Sequence, residues 1–135
     1  LLSPYLFAIA SIIAVLSMVI TFKIHLDKLK VNPEKRAEIQ TKFFIGVAIS
    51  EVIPLILVVS GFATMQPIQD MSVLFVPFLF ILFSILIGPS FIFLQTKVDV
   101  TEDMKSIVMS FAMIALSLTM SIPIVSLVGL FIQMP

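Results

Sequence analysis

The stretch FFIGVAISEVIPLILVVSGFAT, residues 43–64, decides the fold. It is apolar or small almost throughout, with a single acid, Glu51, inside it. A helix needs roughly 20 apolar residues to cross the hydrocarbon layer of a membrane, and this run is long enough. Lipid offers the backbone no hydrogen-bond partners, so a crossing segment has to satisfy its own polar groups as a helix. Three further runs read the same way: Tyr5 to Phe22, extending toward Leu26; Met71 to Leu94; and Ile107 to Ile132. The expected fold class is an all-α membrane protein with four transmembrane helices in two hairpins, over residues 1–66 and 67–135.

Composition agrees. Of 135 residues, 60% are hydrophobic and 12% charged, whereas soluble domains carry about 25% charge. The absence of cysteine removes disulfides and thiolate metal sites. No Ser-His-Asp arrangement, glycine-rich phosphate loop or metal-ligand cluster is present in the sequence. No cofactor or metal is expected, and any catalysis would belong to partner subunits. The eight basic residues, balanced by eight acids, are too few for nucleic-acid binding. The first apolar run is too long, with the wrong flanks, for a cleaved signal peptide.

Basic residues set the expected orientation. Lys23, Lys28, Lys30, Lys35, Arg36 and Lys42 lie in or beside the first connection, and Lys97 and Lys105 bracket the third. The middle connection, MQPIQD (65–70), has none. The positive-inside rule then places the first and third connections in the cytoplasm and both termini outside, in a plasma (inner) membrane.

The second and fourth runs resemble each other at a shift of 69 residues: IGVAISEVIP (45–54) lies over IALSLTMSIP (114–123). Pro54 meets Pro123 and Ser50 meets Thr119, but Glu51 meets Met120. The second hairpin therefore reads as a degenerate repeat that lacks the acid.

Glu51 lies nine residues beyond Lys42, on the order of 13 Å along a helix. This is near the middle of a layer roughly 30 Å thick. A charged side chain at that depth costs several kcal/mol or more on most scales, roughly 2.5–17 kcal/mol across methods. No basic residue lies at comparable depth, so the acid's simplest escape is to hold a proton. A protonated carboxyl still needs an acceptor. Candidate support comes from Ser50, Thr119, and the carbonyls opened near Pro54 and Pro123, because proline has no N–H to give the carbonyl four residues earlier. Intramembrane acids are functional sites by default, so Glu51 is the expected proton-binding residue.

The segment VNPEKRAEIQTKFFIGVAISEVIPLILVVSGF (31–62) resembles the c subunit, or proteolipid, of rotary ATP synthases. That family has a helical hairpin with an amide and a proline in its polar loop and an essential carboxylate on the second helix. The resemblance implies that Glu51 binds the ion, that Pro54 is the nearby helix proline, and that Lys30, Asn32, Pro33 and Glu34 lie in the loop that meets the rotor stalk. It also implies a homo-oligomer or ring in membrane lipid, with an a-subunit-like partner supplying an arginine. Four helices with one acid look like the vacuolar-type proteolipids. Val52 beside Glu51, where sodium-binding members tend to place a hydroxyl, favours protons.

The chain also departs from the family. Val31 stands where an arginine is usual, with Lys30 one place early, and SIIAVLSMVITFK (11–23) lacks the glycines that let ring helices approach closely. Ala8, Ala10, Ala14 and Ser17 offer some small surface, while Ile13 and Val19 are bulky. Two functions are therefore expected in competition. One is a proton-translocating proteolipid subunit; the other is a non-transporting membrane scaffold or assembly factor built on the same hairpin. Elsewhere, Lys23 is expected to snorkel to the interface and His25 to be interfacial. Thr101 is expected to cap the fourth helix, with Glu102 and Asp103 at its positive end. GPS (88–90) is expected to kink the third helix, and the phenylalanines of that run should face lipid or fill packing.

Overall fold

The computed structural model describes residues 2–135. Five helices make four crossings: α1 (Ser3–Val31), α2 (Arg36–Ser50) and α3 (Val52–Ala63) in line, α4 (Ser72–Gln95) and α5 (Lys105–Ile132). Short 3-10 turns, Pro33–Lys35 and Glu102–Met104, precede α2 and α5. No strand occurs among the described residues. All four crossings are long and apolar enough to span a membrane, the architecture of an integral membrane protein. The turn-and-helix unit at Pro33–Ala63 recurs at Glu102–Ile132, and Ser3 and Ser72 begin α1 and α4, each at the 69-residue spacing of the sequence repeat.

α1 runs further than hydropathy alone indicates. Its 29 residues extend about 43 Å, beyond a hydrocarbon layer of roughly 30 Å. The charged stretch from Lys23 to Lys30 stays helical because Leu26 and Leu29, three residues apart, are fully buried on one face. Lys28 and Lys30 sit in the last turn, where cations suit the negative end of the helix dipole. Asn32 ends the helix, and Pro33 opens the following turn, where its missing N–H costs nothing.

α1 is the hub of the bundle. It packs against α2, α3, α4 and α5, and α5 in turn packs against α3 and α4. Ala8, Ala10 and Ala14 are all buried, so the small residues of α1 do let its neighbours come close. The core has two parts. At the end that carries the first and third connections, hereafter the charged end, Phe22 stacks on Phe111 at 5.6 Å, and Phe111 meets Phe43 at 4.8 Å. At the terminal end, Phe7 lies edge-on to Phe62 and fills the space opposite Gly61 and Gly129. There Gln133 Nε2 donates to Ser3 Oγ at 2.6 Å, tying the end of α5 to the start of α1.

The outer surface is apolar. On α4, Phe75, Phe80 and Phe83 face outward, as expected of lipid-facing side chains. One local expectation needs correction. Thr101 does not cap the fourth helix through a backbone N–H: its hydroxyl donates to Asp103 Oδ1 instead, because the carboxylate two residues on is the stronger acceptor. α4 stays helical through Pro77, Gly88 and Pro89. A helix interruption falls at Glu51, between α2 and α3.

Candidate functional site

Glu51 is the residue at which one crossing becomes two helices. Its φ of −81° and ψ of −11° leave ψ well short of the helical value near −42°. Backbone bonds persist on both sides: Glu51 N donates to Val47 O, and Leu55 N to Glu51 O, each at 2.9 Å. The carbonyl between those registers, that of Ser50, has no N–H available from Pro54. In α5, Pro123 stands in the corresponding position, yet the helix passes through Met120 unbroken. The interruption is therefore found at Glu51 and not at Met120.

The carboxyl-bearing position faces inward. Val47, Pro54 and Val58 are buried, whereas Val52, Ile53 and Leu55 are exposed. Glu51 is half-buried beside that inward ridge, four residues from Val47 and three from Pro54. The antiparallel partner is α1. Gly46 lies against Thr21 and His25, and Gly61 against Phe7. By antiparallel register, those contacts set Glu51 level with Ser17 and Met18 of α1. Among the described residues Glu51 has no ion pair. Lys23 and Asp27, and Lys42 and Glu38, pair with each other near the charged end.

The expected supporting residues occupy separate places. Ser50 is half-buried and its hydroxyl donates back to Val47 O at 3.0 Å. Pro54 and Pro123 are both buried inside their crossings. Thr119 is buried, but it lies against Gly88 of α4 and its hydroxyl has no partner. The structure thus brings Ser50 and Pro54 to the Glu51 turn and sets Thr119 on the α4-facing side of α5.

Of the loop residues, Asn32, Pro33 and Glu34 form the turn between α1 and α2, with Glu34 exposed. Lys30 points elsewhere. Its ammonium donates to Val98 O at 2.6 Å and Gln95 O at 3.4 Å, closing the end of α4. No run of sequence signals this bond, because its partners are backbone groups in another connection.

A further polar feature escaped the sequence reading. Ser17, Thr21 and His25 recur every fourth residue on α1 and share one face. Thr21 Oγ1 donates to Ser17 O at 2.8 Å, and His25 Nδ1 donates to Thr21 O at 2.7 Å. Because Thr21 and His25 lie against Gly46, this file runs along the α2 side of α1, from the charged end to the level of Glu51. Its four-residue spacing was the available signal, hidden because each residue alone has an ordinary explanation.

No group of three or more His, Asp or Glu capable of holding a metal occurs among the described residues. Comparison with models of known families, with curated proteins and with solved structures gives no match.

Proposed function

We propose that this chain is a c-like proteolipid that carries protons on Glu51 within an oligomeric membrane assembly of the rotary ATPase kind. The observation that carries the reading is the setting of Glu51: a half-buried acid on the inward side of a crossing, at the turn opened by Pro54, with no cation beside it. The proton would enter from one side of the membrane and neutralise the carboxylate. The neutral acid would then remain in its apolar surroundings. It would release the proton on meeting a cation supplied by a partner subunit, whose positive charge stabilises the carboxylate. In this reading the charged end faces the cytoplasm of a plasma (inner) membrane, with both termini outside. The Ser17–Thr21–His25 file supports access to the acid from that end.

The test is proton flux in vesicles that contain the chain and its co-purifying partners. Glu51→Gln keeps the shape and removes the exchangeable charge, and it is expected to abolish the flux. Unchanged flux would overturn the proposal.

A second reading, a non-transporting scaffold or assembly factor on a c-like hairpin, is favoured by two observations. Lys30 is held by the third connection and so is not free for a stalk contact. Bulky Ile13 and Val19, in place of glycines, limit how closely α1 could line a ring. Native mass measurement separates the readings: a closed ring supports the first, and a single copy bound to an otherwise complete membrane sector supports the second.

A further inference from the structure

The charged end holds a cleft of about 280 Å³ between the end of α1 and the start of α2. Lys28, Lys35 and Lys42 line it together with Glu38, His25 and Asn32. Glu38 is taken by Lys42 at 3.0 Å. Asp27, on the same turn of α1 as Lys28, is taken by Lys23 at 2.9 Å. Lys28 and Lys35 are in no ion pair among the described residues. The cleft is therefore a concave surface with three ammonium groups against one carboxylate, and Asn32 adds a neutral donor.

What lies beyond the two rims identifies the ligand. Lys28 is one turn past an outward stripe of α1, Leu16, Ile20 and Ile24, exposed by 53%, 59% and 48%. Lys42 stands one turn before the outward Ile45 and Ile49 of α2, exposed by 54% and 69%. Positive charge thus tops both apolar tracks: Lys28 above the α1 stripe, and Lys35, two turns before Lys42 on the same face, above the α2 stripe. A soluble anion would use the ammonium groups and leave the tracks unused. An anionic amphiphile uses both.

We propose that this cleft binds the phosphate headgroup of an anionic phospholipid, with Lys28 and Lys35 as its donors and the acyl chains along the α1 and α2 stripes. Lysine ammonium groups bind phosphate as point charges, and basic pockets between transmembrane helices are suited to anionic headgroups. The inference is independent of any role for Glu51.

Native mass spectrometry of the full chain in detergent, with phosphatidylglycerol or phosphatidylcholine added, tests it. The native chain is expected to retain phosphatidylglycerol under activation that strips phosphatidylcholine. Lys28→Gln and Lys35→Gln, which remove the charge and keep a polar side chain, are each expected to weaken phosphatidylglycerol binding about fivefold. Lys97→Gln with Lys105→Gln removes twice the charge of either single variant, outside the cleft, and is expected to leave binding unchanged. Equal retention of the two lipids by the native chain would overturn the proposal, with no variant needed. So would an equal loss in the Lys97/Lys105 variant. Inorganic phosphate provides the other arm: displacement of the lipid at an ionic strength where chloride has no effect would reassign the cleft to a soluble anion, whereas retention supports the lipid.

Discussion

At the scale of single residues, the sequence marked Glu51 by contrast alone, since an acid in an apolar run is visible without a fold. Its freedom from a counter-cation could be read from the spacing of the lysines. The local break could not. Glutamate is an ordinary helix former, and a proline disturbs the turn that precedes it by an amount set by packing. Pro123, in a similar sequence, leaves α5 continuous. If Pro54 opens the turn, Pro54→Ala returns an N–H to the carbonyl of Ser50. Removing an interior proline can gain up to about 3 kcal/mol, so this variant is expected to raise the thermal midpoint in detergent. The new amide of residue 54 should also exchange as slowly as its hydrogen-bonded helical neighbours. A lower midpoint would show that the interrupted geometry is held by packing and not by the proline.

At the scale of elements, the long apolar runs were legible because hydropathy over some 20 residues leaves few alternatives. Their ends were less so. The last turns of α1 are charged, and only the burial of Leu26 and Leu29 reveals that they remain helical. Close contacts between elements were not legible either. A side chain at Gly129 would bring a Cβ within 2.5 Å of the Phe7 ring, and one at Gly61 within 2.9 Å. Gly129→Val is therefore expected to destabilise the bundle by about 1–3 kcal/mol, the usual cost of overpacking, measured by thermal unfolding in detergent. Tolerance of valine there would mean that Phe7 is not wedged between α3 and α5. The start of α4 offers a pH-dependent element. Asp70 Oδ1 accepts from the backbone N–H of Ser72 at 3.0 Å, which holds the carboxyl below its ordinary range. Its contribution is present above the unfolded-state range and is lost as pH falls through the lower folded value. Amide exchange at Ser72 should therefore accelerate in acid relative to mid-helix amides of α4, and Asp70→Asn should blunt that change.

At the scale of the whole molecule, the pairing of helices was only partly foreseeable. Two hairpins follow from four runs, but nothing local says that α1 packs against every other crossing. Long-range bonds hold that arrangement at its ends: Lys30 to Val98 O and Gln95 O, with Arg36 to Ser110 Oγ, at the charged end, and Gln133 to Ser3 at the other. Polar contacts between membrane helices average about 0.6 kcal/mol. Ser3→Ala is accordingly expected to cost near that amount and to leave the fold intact, as read from the unfolding midpoint and helical circular dichroism. The central claim is that the bundle keeps Glu51 as a removable-proton acid within the membrane. A hydrophobic carbodiimide reacts with a protonated carboxyl in an apolar setting, so peptide mapping of the labelled full chain at neutral pH tests the claim directly. Modification confined to Glu51, falling as pH rises and absent in Glu51→Gln, is predicted; an unmodified Glu51 across that range, with the bundle intact, would contradict it.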